Sequence, residues 1–281
     1  MLAATVTDSD RAMDVELVTS EGTIIIRLSD KTPLHRDNFI KNVKEGYYDN
    51  IRYHRIIENF VIQVGNPEFK DPPLESEPGL AKDEDIIPIE LDDSLYHRRG
   101  ALSAARKSDI VNPKQNSSAA QFVIVQGKLY PDEEVLAKAE SRINGYLAFN
   151  SVVNNPKNKE KMERLQALDK LWPFQEENQK QDKEEYEQIS ADLQDQADTL
   201  VKEMEPYRIP DWQREVYRTK GGNAHSDRSY TVFGSVAEGM SVVDRIAAVE
   251  TDEQDAPTGD VRIVKARLIE RKDYAATESV D

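Results

Sequence analysis

The stretch from Tyr53 to Gln63, YHRIIENFVIQ, decides the fold of this 281-residue chain. Arg55 lies among alternating apolar residues, Phe60 follows five positions later, and Gln63 follows three beyond that. Side chains an even number of residues apart share one face of a strand, and a turn at Glu58-Asn59 would fold the second half of the stretch back onto the first. We therefore expect a guanidinium, an aromatic ring and an amide to face one concavity, which suits a small apolar ring carrying an amide.

Two later regions supply further motifs: GALSAAR at 100–106 with SAAQFVI at 118–124, and YTVFGSV at 230–236 with EGMSVVD at 238–244. In order and content, these segments and the first stretch resemble the cyclophilins, which are peptidyl-prolyl isomerases. The resemblance extends over residues 13–126 and 219–271. It implies that the apolar ring is a proline and that the substrates are proline-containing polypeptides.

The resemblance implies a mainly β fold, an eight-stranded antiparallel β-barrel capped by two helices, with an inserted α-helical subdomain. The domain boundaries that we predict are a loose leader at 1–12, a discontinuous barrel at 13–128 and 219–271, a helical insertion at 129–218 and a polar tail at 272–281. Local patterns agree with this assignment. Alternating apolar residues predict a hairpin of strands at 14–18 and 23–28, and Pro33 begins a helix whose apolar side carries Leu34, Phe39, Ile40 and Val43.

Composition changes at Tyr130, after which the chain becomes rich in Glu, Lys, Gln and Asp. Asp132 can cap a helix that continues through Ile143, and further helices are predicted at 157–171, 178–204 and 211–219. The third of these four has apolar residues every three or four positions, namely Tyr186, Ile189, Leu193, Ala197, Leu200 and Met204. We expect that face to pack against the rest of the insertion or against the barrel. Upstream, residues 66–85 are predicted to be loop, and Ile86–Leu91 is predicted to return the chain to the barrel.

The resemblance assigns roles to individual residues. Arg55 would point its guanidinium at the prolyl nitrogen, a role that suits arginine because it stays charged and donates hydrogen bonds in a planar fork. Phe60 would form the wall of the proline pocket, while Gln63 and Gln121 would line the groove and hold the peptide or the arginine.

Other positions would bind substrate without taking part in catalysis. Ala105 and Arg106 would offer backbone groups to the peptide, and His225 and Tyr230 would rim the pocket. Three positions depart from the family pattern: Val61 replaces a methionine, Val123 a phenylalanine and Ser226 a leucine. Each change removes apolar contact area, so we expect a wider and shallower pocket. The family's glycine-rich loop beside the neighbouring specificity pocket is also missing, and Pro-Pro-Leu-Glu stands near that place at 72–75.

Composition narrows the possible partners and cofactors. The net charge of −16 disfavours binding to nucleic acid, and no apolar run is long enough to predict a membrane span. There are no cysteines, and the four histidines show no metal-ligand spacing, so we predict neither a metal nor a cofactor. No signal peptide is visible, and we expect a soluble protein of either the cytoplasm or the periplasm.

Two functions remain open at this point. The first is a prolyl isomerase with reduced or altered activity. The alternative is a catalytically weak module that binds proline-containing peptides or partners, which the replacements at Val61, Val123 and Ser226 favour. The insertion is either a chaperone arm or lid beside the groove, or a brace against the barrel. Whether the altered rim binds cyclosporin is left open.

Overall fold

The computed structural model describes residues 4–72, 86–174 and 179–274. Its main feature is an antiparallel sheet of nine strands in the order β3-β11-β1-β2-β10-β7-β9-β5-β4, beside a two-stranded sheet of β6 and β8. The strands are β1 (Met13–Thr19), β2 (Gly22–Leu28), β3 (Ile51–Arg52), β4 (Arg55–Ile57), β5 (Val61–Val64), β6 (Ile86–Ile87), β7 (Ala101–Ala104), β8 (Ser117–Ser118), β9 (Phe122–Val125), β10 (Val232–Glu238) and β11 (Arg262–Glu270).

The two outermost strands of the nine-stranded sheet are neighbours in the sequence. Only Tyr53 and His54 lie between the end of β3 and the start of β4. Since two extended residues span less than ~10 Å, the sheet has to curl until its edges are close together. The curled sheet encloses the hydrophobic core on its inner face. Tyr53 lies in this core and is 1% exposed.

The strand count and one strand assignment differ from the sequence prediction. Nine strands form the described main sheet instead of eight, because the run from residue 51 to 57 divides at Tyr53 and pairs with β11 on one side and with β5 on the other. The predicted return of Ile86–Leu91 to the barrel is confirmed, because Ile87 is buried in the barrel core and Glu90 contacts His35 of the helix at residues 33–44, but the short strand there does not join the main sheet. Residues Ile86 and Ile87 pair with Ser117 and Ser118 in the small second sheet.

Two helices cover the curled sheet, as predicted. Helix α2 (Pro33–Lys44) buries Phe39, Ile40 and Val43 in the core, and α7 (Met240–Ala247) packs beside β2. Leu34, however, is 52% exposed, so its predicted place on the apolar side was wrong. His35 lies on the buried side of α2 instead and is 2% exposed. Its Nδ1 lies 2.7 Å from the carboxylate of Glu90, which gives the buried ring a polar partner.

The predicted loose leader is partly ordered. A one-turn helix, α1 (Asp8–Arg11), begins with a reciprocal capping box between Thr7 and Asp10. Arg11 then forms an ion pair with Asp37 of α2 at 2.8 Å. The sequence 7–11 contains the capping pattern, so composition alone was a poor guide to this segment.

In the part of the segment that the structure describes, four α-helices lie between β9 and β10: α3 (Glu133–Val153), α4 (Lys159–Asp169), α5 (Lys180–Glu203) and α6 (Asp211–Thr219). All four were predicted, and Asp132 caps α3 by accepting a hydrogen bond from the N–H of Val135. The six apolar residues predicted to share one face of the third helix pack into one cluster with side chains of α3 and α4, and the last of them, Met204, lies one residue past the end of α5. A second cluster joins α3 and α6 to Tyr96, Tyr130 and Ala224, next to the sheet.

The chain enters and leaves this helical segment at one point. Lys128 and Gly222 exchange two backbone hydrogen bonds of 3.0 Å each. Gly222 has a φ of +155°, and a Cβ on it would lie 2.4 Å from the carbonyl oxygen of His97. Only glycine therefore allows the outgoing and returning chains to approach the barrel this closely. Within the described residues, no helix combines the length and apolar character that crossing a bilayer requires.

Gly65 makes a similar close approach next to β5, and replacing it tests how tightly the sheet is packed there. Its φ is +105°, and a Cβ would lie 2.2 Å from the carbonyl oxygen of Ala120. We expect Gly65→Ala to lower the free energy of unfolding by about 3 kcal/mol or more, because both the backbone and the neighbouring carbonyl would have to move. Urea denaturation at pH 7.5 measures the change.

The matched control is Gly259→Ala. Gly259 has no positive φ, and an added Cβ would meet nothing within 4 Å. The control should stay within about 0.5 kcal/mol of the wild type. Equal stability of the two variants would contradict the close packing described for Gly65.

Candidate active site

The pairing of four strands separates core residues from candidate site residues. Arg55 pairs with Gln63, Gln63 with Val123, and Val123 with Ser103, so the four share one face of the sheet. The adjacent row shows the opposite face, where the core contains Ile56, Ile62, Ile124 and Leu102. The period-two pattern of the sequence therefore places an arginine, an amide and an apolar side chain side by side, with the hydrophobic core directly behind them.

Arg55 begins β4 and keeps 41% of its side chain exposed. Its Nε lies 3.4 Å from Oδ2 of Asp255, a contact that the sequence did not predict. Asp255 has a φ of +63°, and its carbonyl accepts a 2.8 Å hydrogen bond from the N–H of Ile56. Aspartate is one of the residues that adopt a left-handed conformation, so the sequence is compatible with a turn at this position. The neighbouring residues do not show, however, that the turn contacts β4.

The two predicted glutamines meet. Nε2 of Gln63 donates to Oε1 of Gln121 over 3.1 Å. Gln121 is held by its own backbone, since its N–H donates to the Ser118 hydroxyl and its carbonyl accepts from the N–H of Ala105. The amide pair thus has a fixed position beside Arg55, across one strand pairing.

Phe60 and His225 form a stacked pair. Phe60 closes the turn between β4 and β5, where Asn59 adopts a φ of +61°, as the predicted turn at Glu58-Asn59 requires. The ring of His225 lies parallel to that of Phe60, with centroids 5.5 Å apart and planes 14° apart. Burial, together with the nearby positive charge of Arg142, lowers the pKa of His225 to about 4. His225 is therefore neutral at pH 7, and the pair presents an uncharged aromatic surface.

Arg106 and Tyr230 form a second pair on the other side of the groove. The guanidinium of Arg106 lies 4.5 Å above the centre of the Tyr230 ring, donates 2.7 Å to the carbonyl of Ser229 and pairs with Asp109. Its side chain is 5% exposed. Burial raises the pKa of Tyr230, while the charge of Arg106 acts in the opposite direction. The side chain of Arg106 is thus occupied by internal contacts and braces Tyr230.

The three positions that depart from the family pattern are buried or partly buried, and they do not form an exposed rim of the pocket. Val61 is 3% exposed and packs with Ala101, Val125 and Val232 beneath Phe60, while Val123 is partly buried at the edge of the same cluster. Ser226 is 8% exposed, and its hydroxyl accepts a 2.7 Å hydrogen bond from Asn223. The backbone N–H of Ala105 donates to Gln121, and its carbonyl accepts from Ser118.

A cavity of about 260 Å³ adjoins the amide pair. It is lined by Gln63, Ala105, Arg106, Ser118 and Gln121, together with Ile86, Lys107, Val111, Asn112 and Asn116. The segment with which the missing glycine-rich loop was compared, 72–75, lies outside the described residues after Pro72. Among the described residues, no group of three or more histidine, aspartate or glutamate side chains could hold a metal ion.

A buried polar chain supports the floor of the groove, and sequence reasoning missed it. His97 lies 2.9 Å from Asp227 through Nδ1 and 3.0 Å from the Ser103 hydroxyl through Nε2, and Tyr217 of α6 donates 2.6 Å to Asp227. Ser103, His97 and Asp227 are at most 3% exposed, and the serine donates to the carbonyl of Thr231. Since no substrate can reach this serine, these hydrogen bonds have a structural role. They connect Tyr217 of α6 to Ser103 of β7.

Comparison with known proteins adds to this geometry. The family model described as "Cyclophilin type peptidyl-prolyl cis-trans isomerase/CLD" matches residues 13–188 and 215–268, which is well over half of the chain. The chain belongs to the cyclophilin-type peptidyl-prolyl cis-trans isomerases. The predicted family, fold class and enzyme class are therefore confirmed.

Individual relatives vary in length. A Streptococcus pyogenes protein named "Putative bifunctional phosphatase/peptidyl-prolyl cis-trans isomerase" is 30% identical over 89% of this chain, which covers only 37% of that relative. A Staphylococcus haemolyticus protein named "Putative peptidyl-prolyl cis-trans isomerase" is 27% identical, with 90% of each chain covered. A crystal structure of a Cryptosporidium parvum cyclophilin type isomerase aligns with a TM-score of 0.48 at 17% identity, over 92% of this chain and 99% of that one.

The depressed pKa of His225 predicts how stability depends on pH. The folded protein holds this ring neutral down to about pH 4, whereas the unfolded chain protonates it near 6.5. The contribution of the neutral His225 ring to the stability of the folded protein is complete above pH 6.5, and it is lost as pH falls from 6.5 toward 4. We expect the free energy of unfolding to fall between pH 7.5 and 5.5 by about 1 kcal/mol more in the wild type than in His225→Phe.

Urea denaturation of both proteins at the two pH values measures this difference. Burial also lowers the pKa of His35, but that group is present in both proteins and cancels in the comparison. Parallel pH profiles for the two proteins would contradict the assignment of a neutral, buried His225.

Proposed function

We propose that this chain catalyses the cis–trans isomerisation of X-Pro bonds in polypeptides with Arg55 as the electrostatic catalyst. The observation that carries the proposal is the row of paired residues Arg55, Gln63 and Val123, which face away from the core at one level of the sheet. It brings together a permanent charge, hydrogen-bonding amides and an apolar surface. A bound prolyl peptide needs these same three features.

The physics of the reaction explains why so few groups suffice. Rotation about the peptide bond has to cross a barrier of ~18–20 kcal/mol, while the two isomers of an X-Pro bond differ by only ~0.5–1 kcal/mol. No bond is made or broken, so no nucleophile, metal or proton relay is required. A guanidinium directed at the prolyl nitrogen stabilises its lone pair once the nitrogen becomes pyramidal, which lowers the energy of the rotating state.

The other groups have holding roles in this proposal. Phe60, stacked on His225, forms one wall of the proline site, and Val123 forms its floor. The linked amides of Gln63 and Gln121 fix the carbonyl of the residue before proline. Arg106 supports Tyr230 from behind and can offer its backbone to the peptide.

Asp255 gives a specific reason to keep the second candidate function, a proline-binding module with weak turnover. Its carboxylate lies 3.4 Å from the Arg55 guanidinium and offsets part of the charge on which catalysis depends. Both side chains are more than 40% exposed, so the pair contributes little to stability. A peptide that displaces the aspartate restores the charge, and one that does not is bound without being turned over.

We also propose that the helical segment predicted at 129–218 is a separate unit placed beside the groove. Its own apolar cluster and the double hydrogen bond between Lys128 and Gly222 support this division. The contact between α3 and the turn Ala224–Ser226 supports its position, because that turn carries His225. The alternatives of an arm for clients and of a brace both fit these contacts.

Replacing Arg55 tests the mechanism. We expect Arg55→Ala to lower kcat/KM on X-Pro peptides by about 100-fold, the cost of removing one preorganised donor from a site of this kind. The free energy of unfolding should change by less than about 1 kcal/mol, because the side chain is half exposed and its one ion pair is solvated. Protease-coupled or NMR exchange assays give the rate, and urea denaturation gives the stability.

The matched control is Arg52→Ala, an exposed arginine three residues earlier that lies over the ring of Phe69. It should retain the wild-type rate. An Arg55→Ala protein with an unchanged rate would remove Arg55 from the mechanism. If the wild type binds an X-Pro peptide in calorimetry yet gives no catalysed exchange, the binding-module function is correct instead.

Val123→Phe tests whether the reduced apolar floor limits substrate binding. A phenylalanine here restores the residue of the family pattern and adds roughly 40 Å² of apolar contact, or about 1 kcal/mol. We expect KM for a tetrapeptide substrate to fall about fivefold. Val264→Phe, at an exposed position on β11, is the control and should leave KM unchanged. A KM for Val123→Phe equal to or above that of the wild type would contradict the assignment.

A further inference from the structure

A cavity of about 460 Å³ lies between the barrel and the inserted helices, and of the residues that line it only Arg106 and Tyr230 also belong to the proposed active site. From the barrel side it is lined by Arg106, Ser108, Asp109, Ile110 and Tyr230, and from the helical side by Arg142, Gly145, Tyr146, Phe149 and Gln194. We call it the insertion cavity. Its volume falls in the range of sites that bind small molecules or large side chains.

Helix α3 holds one wall of the insertion cavity through two attachments. Near its first half, Leu136, Ala139 and Ile143 pack with Ala224, one residue before His225. Near its end, Asn150 donates 3.1 Å to Asp109 and 2.8 Å to the carbonyl of Pro113. Between these attachments, Arg142, Gly145, Tyr146 and Phe149 follow the i, i+3, i+4, i+7 spacing of one helical face, so the four line the cavity together.

The insertion cavity is continuous with the proposed peptide groove. Arg106 and Tyr230 line the cavity and also form one side of the groove. The Tyr230 hydroxyl lies near side chains of both regions, because the charge of Arg55 in the groove lowers the pKa of Tyr230 and Tyr146 in the cavity raises it. A peptide leaving the groove past Tyr230 therefore meets the cavity next.

Arg142 sets the charge preference of the insertion cavity. Its side chain is exposed and lies 3.4 Å from the Tyr146 hydroxyl. Among the described residues its guanidinium contacts the Tyr146 hydroxyl and forms no ion pair with a carboxylate, although the chain has 53 acidic residues and 37 basic ones. By contrast, Arg106 pairs with Asp109 and Arg55 with Asp255. The cavity thus combines an aromatic and aliphatic lining with one guanidinium that is available to a ligand.

Gly145 keeps the insertion cavity open. A glycine inside a helix costs about 1 kcal/mol relative to alanine, and an added Cβ here would meet no atom within 4 Å. Neither a positive φ nor close packing explains this glycine. A side chain at this position would therefore begin in open space at the wall of the cavity.

We propose that the insertion cavity is a second subsite for the client polypeptide, which takes a large apolar side chain next to an acidic residue that pairs with Arg142. The ring of such a side chain would lie among Ile110, Tyr146 and Phe149, and the carboxylate would meet the guanidinium at the entrance. This subsite rests on the proposed function, because it holds the same chain whose proline occupies the groove. It selects clients by residues away from the proline.

The test uses two kinds of variants and three peptides. Gly145→Leu fills the cavity, with Gly145→Ala as its control, and Arg142→Glu reverses the entrance charge, with Lys157→Glu as its control. Lys157 is exposed beyond the C-terminal end of α3, so its reversal changes the net charge equally. The first peptide is an X-Pro tetrapeptide. The second is a series of longer peptides that carry a Phe-Glu pair at successive distances on either side of the proline. The third is the matching series with Phe-Lys in place of Phe-Glu.

At the best spacing, we expect the Phe-Glu peptide to have a KM about tenfold below that of the tetrapeptide with the wild type. Gly145→Leu and Arg142→Glu should remove this advantage, and Arg142→Glu should now favour the Phe-Lys peptide. The two control variants should retain the wild-type ratio of the two KM values. Urea denaturation shows that each variant is folded.

The possible failures are distinguishable. If the wild type does not isomerise the tetrapeptide, the proposed function is wrong. If it does so, but no spacing of the Phe-Glu pair lowers KM, or if the folded Gly145→Leu and Arg142→Glu proteins keep the full advantage, the subsite is wrong and the catalytic proposal stands.

Discussion

The curl of the sheet is the constraint on which the rest of the structure depends, and a two-residue connection imposes it. Because β3 and β4 occupy opposite ends of the strand order and are joined through Tyr53 and His54 alone, the sheet cannot flatten. Curling gives each strand an inner face for the core and an outer face for the site. Arg55 begins immediately after that connection, so the residue proposed to act on the prolyl bond has its backbone fixed by the closure of the sheet.

Local patterns in the sequence were enough for the parts of the site that lie on paired strands. A period of two, a turn-forming Asn59 and a short separation determine that Arg55 and Gln63 face the same way, and the structure pairs them directly. Gln121 needed the family resemblance as well, since its strand comes 58 residues later. The helices between β9 and β10 were predictable because caps and apolar spacing are local properties, as Asp132 and the apolar face of α5 show.

Contacts set by distant loops could not be read from the sequence in the same way. Asp255 reaches Arg55 only because a turn two hundred residues away is hydrogen-bonded to β4, and the sequence shows no more than an acidic loop. The hydrogen bonds from Ser103 through His97 and Asp227 to Tyr217 join three separate segments. Leu34 is exposed since the orientation of α2 follows its tertiary neighbours, among them Glu90, rather than the apolar residues of the helix alone.

The position of β10 within the sheet has a consequence for how the molecule is made. This strand lies between β2 and β7, yet it comes after all four inserted helices in the chain. Before a ribosome has produced β10, the hairpin of β1 and β2 and the group β7-β9-β5-β4 have no strand to join them, and each presents an unsatisfied edge. Once β10 is made, it joins these two groups of strands, so the main sheet becomes continuous only after the inserted helices have been synthesised.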